Sequence, residues 1–137
     1  VERSTQMPGD VQYDARQMFN SGGTRASHGT WLGALFESLV AQSVRVCADA
    51  ADARVGHLRL QDTAREIDLI VEGEDRRDIA LEIKLASSVS DKDASHLNWL
   101  QDQIGENLAD KVIVTTGERA YRRADGVAVV PLALLGP

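Results

Sequence analysis

The stretch that most constrains this chain is REIDLIVEGEDRRDIALEIKL, Arg65 to Leu85. Two runs in it alternate apolar and polar residues, so each reads as a strand with one face on a core. Ile67, Leu69 and Val71 share one face of the first run. Ile79, Leu81, Ile83 and Leu85 share one face of the second. GEDRRD between them has the composition of a turn. Centring that turn on Asp75 sets Asp68 opposite Glu82, Ile70 opposite Ala80, and Glu66 opposite Lys84. Directly opposed residues have Cβ atoms roughly 5 Å apart, and opposed like charges repel. Two carboxylates so placed splay into water, share a proton or hold a cation. Lys84 lies two residues from Glu82 and points the same way. Two acids and one amine therefore converge on a small volume.

Metal-dependent phosphodiester hydrolysis uses such a set. Carboxylate oxygens suit Mg²⁺ or Mn²⁺. A held ion polarises a phosphoryl oxygen and acidifies a bound water. A lysine beside it orients that water or steadies transition-state charge. The expected metal ligands are Asp68, Glu82 and the backbone carbonyl of Ile83, with Lys84 as the catalytic cation. Ile70 and Ala80 are apolar, so the face that bears the acids is expected to be covered, with the first helix as its cover. Glu37 sits at the margin of that helix's apolar stripe, beside Gly33, Ala34 and Ala41. Those small residues allow a close approach to the sheet, which makes Glu37 a further catalytic candidate.

Around the hairpin, Leu32, Leu35, Phe36, Leu39, Val40 and Val44 recur at helical spacing and predict a helix over about 30–46. Residues 54–60 read as a short strand. Ser90 and Asp93 form the signature of a helix start, Leu97, Leu100 and Ile104 give that helix its stripe, and Gly105 ends it. KVIVTTG and GVAVVP are two more strands, and Pro131 opens a short final turn. The order predicts one α/β domain with a mixed sheet flanked by helices. Residues 1–28 hold no sustained period and read as an irregular lead-in, with FNSGGTRASHGT as a linker. The chain begins at Val1 and is expected to be a piece of something longer.

Composition narrows the chemistry. The net charge is -6, from 15 Lys+Arg against 21 Asp+Glu. Unaided grip on nucleic acid needs a basic balance, so any such contact relies on a local patch, a metal or another domain. His28, His57 and His96 are widely spaced and Cys47 is the only cysteine, which argues against a Cys/His zinc site and excludes an internal disulfide. A reducing, cytoplasmic setting is expected. No apolar run approaches the roughly 18 residues of a membrane span. There is no G-x-S-x-G elbow, no Cys-His pair and no phosphate loop of the G-x-x-x-x-G-K-[ST] type.

Asp68 followed by Glu82-Ile83-Lys84 after a short turn, behind a helix carrying Glu37, resembles the PD-(D/E)xK nuclease superfamily. Ile67 stands where that pattern often has proline. The resemblance implies a restriction-endonuclease-like αβββαβ core over residues 29–137. GALFESLV, EIDLIVE, ALEIKLA, HLNWL, VIVTTG and VAVVPLALLG, in that order, resemble the C-terminal domain of unknown function in a family of AAA-type ATP-binding proteins. That likeness implies an upstream ATPase domain in the same polypeptide as partner. A fragment lacking it would bare an apolar docking surface and is expected to form a homodimer.

Plainer readings stand beside these. Charged residues on alternate strand positions are commonly a solvated face, and Glu66 with Lys84 reads equally as a cross-strand ion pair. Glu37 reads as a surface residue, and His96 with Trp99 as a helix-packing edge. Arg119, Arg122 and Arg123 form the densest basic cluster outside the turn. They are either a charged loop or a nucleic-acid-binding edge, with Tyr121 able to stack on a base. A non-catalytic module docking on its ATPase is the alternative to the nuclease.

Overall fold

The computed structural model describes Ser4–Met7, Val11–Asp14, residues 31–61 and residues 64–136. Strands β1 (Ser4–Met7) and β2 (Val11–Asp14) pair antiparallel, from Ser4↔Asp14 to Met7↔Val11. Part of the stretch expected to be irregular is therefore a hairpin. Strands of four residues are too short for alternation to register as a period. The linker FNSGGTRASHGT lies outside the described residues.

Helix α1 (Trp31–Ala50) runs four residues past its expected end. Strands β3 (Arg54–Arg59), β4 (Glu66–Glu72) and β5 (Asp78–Ile83) form an antiparallel meander. Helix α2 (Asp91–Ile104) follows, then β6 (Leu108–Thr115), β7 (Tyr121–Arg122) and β8 (Ala128–Pro131). The six strands β3 to β8 make one sheet in the order β3-β4-β5-β6-β8-β7. β6 runs parallel to both β5 and β8, so the sheet is mixed, as expected. Helix α2 is the crossover that a parallel β5–β6 pair requires. β7 is a two-residue edge strand, too short to stand out in the sequence.

Two cores sandwich this sheet. Ala94, Leu97, Leu100 and Ile104 of α2 pack on Ile70, Ala80 and Ile113. Phe36, Val40, Ala41 and Val44 of α1 pack on Leu69, Leu81 and Val114. This corrects one expectation. The face bearing Ile70 and Ala80 is covered by the second helix, and α1 covers the opposite face. The crossover decides it, because α2 leaves the end of β5 and must return over the sheet to begin β6. Leu32, Leu35 and Leu39 depart from expectation too: all three are exposed, so the apolar residues of α1 form two faces and only one of them meets the sheet.

Candidate functional site

The predicted register holds for four pairs and ends at Leu69↔Leu81, short of the expected Asp68–Glu82 opposition. Glu72↔Asp78, Val71↔Ile79, Ile70↔Ala80 and Leu69↔Leu81 all follow from a turn centred on Asp75. The Gly73 N–H donates to the Arg77 carbonyl at 3.0 Å. With the two-residue period of an antiparallel ladder, the Ile83 N–H is next due at the carbonyl of Ile67. It donates instead to Asp68 Oδ2, at 2.8 Å. The Asp68 carboxylate thus takes over where the ladder stops. The cause lies on the other side of β4. A bulge sets Gly56 opposite Ile70 and Leu58 opposite Ile67, so β4 holds one residue more than β3 over that interval. Meanwhile β5 stays with β6, and the Lys84 N–H donates to the Val114 carbonyl at 2.9 Å. β4 and β5 therefore part at the carboxyl end of β5, with Asp68 and Glu82 at the opening. Crevices at the carboxyl ends of sheet strands are common ligand sites in α/β folds.

Helix α2 closes one side of this opening. The Asp93 carboxylate accepts from the Ser90 N–H at 2.7 Å and from the Ser90 hydroxyl at 2.9 Å, which fixes the helix start that the sequence signalled. The Lys84 amine forms its ion pair with the same Asp93 oxygen. Burial alone would raise the Asp93 pKa, but the bonds from Lys84 and Ser90 outweigh it and hold the carboxyl below its ordinary value. The expected pair of Lys84 with Glu66 is not the one formed, because β4 has already diverged. Glu66 pairs with β3, where its carboxylate lies 4.0 Å from Arg59.

His96 stands at the centre of the opening. Its Nδ1 is 2.9 Å from the Glu66 carbonyl and 3.8 Å from Glu82 Oε1. A carbonyl only accepts, so Nδ1 carries the proton and Nε2 of the neutral ring is the base. Burial, reinforced by the charge of Arg65, lowers the His96 pKa, while Asp68 works the other way. The ring is therefore neutral at pH 7, and its contact with Glu82 is not an ion pair there. Arg65 itself stacks on Trp99, 4.8 Å from the ring centroid. Glu82, Lys84, Lys92, Asp93, Ser95 and His96 line a cleft of about 260 Å³.

The remaining candidates lie apart from this cleft. Glu37 is not at the margin of its helix's stripe. It shares a face with Val40, Ala41 and Val44, three, four and seven residues on, and all three are buried. Its Oε2 is shielded from solvent. That face belongs to the layer opposite α2. Arg122 holds Asp110 through two nitrogens, at 2.8 and 3.0 Å, and its pKa is raised by that bond. Arg123 reaches Asp91 at 2.5 Å and Asp125 at 3.2 Å. These two guanidiniums are neutralised by neighbouring carboxylates, which weakens the field they offer a phosphate. Arg119 and Tyr121 are exposed.

Whether the opening suits a divalent ion is a matter of donor chemistry. Among the described residues, no three His, Cys, Asp or Glu side chains gather closely enough to cage a metal. Mg²⁺ needs no such cage, since it keeps several waters and takes one or two carboxylates. Asp68 Oδ2 accepts from the Ile83 N–H, and carboxylate and carbonyl oxygens are the donors that Mg²⁺ takes. Asp68, Glu82 and the Ile83 carbonyl thus make a donor set that fits Mg²⁺ or Mn²⁺ and does not fit a zinc site of Cys/His type.

A family model described as Domain of unknown function (DUF4143) matches residues 32–135. The chain belongs to the DUF4143 family. No curated protein and no solved structure matches it. The matched span of the DUF4143 domain takes in both helices and the whole six-stranded sheet, cleft included. Sequence reasoning set His96 aside as a packing edge and passed over Lys92, Ser95 and Arg65. One signal was available for three of them. Lys92, Ser95 and His96 occupy the first two turns of a helix that begins seven residues beyond Lys84, so a crossover places them over the end of β5. Among the described residues, no helix is long and apolar enough to cross a membrane.

Proposed function

We propose that this DUF4143 domain is a PD-(D/E)xK-like module for metal-dependent phosphodiester hydrolysis of nucleic acid, carried by a longer polypeptide with an upstream AAA-type ATPase domain. The observation that supports it most is the placement of Asp68 and Glu82 at the opening between β4 and β5, with Lys84 on its rim. Asp68, Glu82 and the Ile83 carbonyl would hold a divalent ion, which when bound would supply a Lewis acid and acidify a water. Lys84 contributes positive charge where the phosphoryl oxygens gain negative charge, and Asp93 orients its amine. Asp68 also holds β5 through the Ile83 N–H, so this one side chain shapes the opening. The acidic balance of the domain leaves general affinity for nucleic acid to the ATPase portion.

A second reading, a non-catalytic module docking on its ATPase, is favoured by the engagement of Lys84 with Asp93 and of Arg122 with Asp110. Plasmid and oligonucleotide cleavage in Mg²⁺ or Mn²⁺ separates the two. Hydrolysis expects wild-type cleavage that Lys84→Ala lowers by about two orders of magnitude or more. It also expects calorimetric binding of Mn²⁺ that disappears in Asp68→Ala. Equal backgrounds for wild type and Lys84→Ala, with no heat of metal binding, leave the docking module.

A further inference from the structure

Helix α1 carries a second apolar face, directed away from the sheet. Leu32, Leu35, Leu39 and Val46 are 50%, 46%, 47% and 59% exposed. Their steps of three, four and seven residues follow the 3.5-residue repeat of a helix-pairing seam. Gln42 fills the remaining position of that repeat and is exposed as well. Trp31, 77% exposed, extends the seam at its start. Scattered surface leucines need no explanation, whereas a contiguous seam on a helix whose other face is already buried does.

We propose that this face pairs with the same face of a second copy of the chain, antiparallel, about a two-fold axis close to Gln42. Three arguments select a second copy. First, an amide both donates and accepts, so Gln42 is self-complementary and two of them satisfy each other across a two-fold axis. Second, about such an axis Leu35 of one copy meets Val46 of the other and each Leu39 flanks a Gln42, so the middle of the seam is matched, while Leu32 falls beside Asp49 at either end. Third, the exposed side chains offer on the order of 500 Å² per copy, and a pair buries about 1,000 Å², the lower bound for a specific interface. The assembly should accordingly be of moderate affinity, with dissociation on the order of micromolar. It uses the face of α1 opposite the sheet, and it stands whether or not the cleft is catalytic.

Sedimentation equilibrium of the 137-residue chain, from roughly 1 to 200 µM, tests it. The weight-average mass is expected to climb from 14.9 kDa toward twice that value. Leu39→Glu should weaken dimerisation about 100-fold and leave the circular dichroism spectrum unchanged, because the site is half exposed in the monomer. Gln42→Glu sets two carboxylates against each other at the axis and should weaken it likewise, while Gln42→Leu strengthens it. Gln42 is a surface position, so these two variants keep the test sound even if Leu39→Glu folds poorly. A chain that stays at 14.9 kDa throughout overturns the proposal. So does a dimer indifferent to both Gln42 variants, since its interface must then lie elsewhere.

Discussion

Asp125 shows how one side chain can be read from its partners. It accepts from the Asn98 amide at 3.0 Å and from Arg123 at 3.2 Å, and its Oδ1 accepts from the Val127 N–H at 3.2 Å. Burial raises its pKa, but these donors together bring it from 3.8 to about 2. A folded-state pKa below the unfolded one adds stability that is fully present above the unfolded value and disappears as pH falls through the folded one. Asp125→Asn keeps the shape and removes the charge. It should cost about 1–2 kcal/mol in urea unfolding at pH 7, and the gap between the two proteins should close between about pH 4 and pH 2. A gap that stays constant with pH would mean that the amide geometry matters and the charge does not. None of this was legible in the sequence, where RRADG reads only as a charged turn. The signal lies in pairings across 27 and 32 residues, Asn98 with Asp125 and Asp91 with Arg123. The hairpin was legible as far as Leu69↔Leu81, because its register is set by a local turn, but the parting of β4 and β5 beyond it, which moves Asp68 onto the Ile83 N–H, was not.

The ends of α2 were readable, since capping is local chemistry, whereas α1, with no such signal at its close, ran four residues past its expected end. Ser90 and Asp93 begin α2, and Gly105 ends it with φ 54° and ψ -123°. An L side chain rarely adopts that conformation, and a Cβ built at Gly105 would meet nothing within 4 Å. The cost of Gly105→Ala is therefore backbone strain with no clash. It should destabilise by about 1–3 kcal/mol and slow no step that depends on side-chain packing. Urea unfolding of the variant measures it, and a loss well above that range would mean that the chain rearranges at the α2–β6 junction. The faces of the helices were less legible. The apolar residues of α1 span more of its circumference than one core can use, so periodicity found the helix but not which leucines are buried. Sheet topology carries that information. It also sent α2 over the acids and placed Glu37 in the opposite layer.

The two cores lie on opposite faces of one sheet, and their residues alternate along the same strands. Leu69 and Leu81 face α1, while Ile70 and Ala80 face α2. Neither helix can be lost without exposing strands that the other core needs, so the described domain should unfold as one cooperative unit. The site inherits this coupling, because Asp68 and Glu82 belong to the strands while Asp93 and His96 come from α2. Leu97→Ala and Val40→Ala each delete a side chain with no solvent exposure, one from each core. The first should cost about 2–5 kcal/mol by cavity formation, and the second somewhat less, for its smaller side chain. Trp99 sits on α2 against the first core, so in a Trp31→Phe background its fluorescence reports that layer, and far-UV dichroism reports the whole sheet. In both variants the two signals should shift by the same amount and remain coincident through the urea transition. If Val40→Ala shifts the dichroism and leaves the Trp99 transition where it was, the layers melt separately. The cleft under α2 would then be independent of helix α1 and of Glu37 upon it.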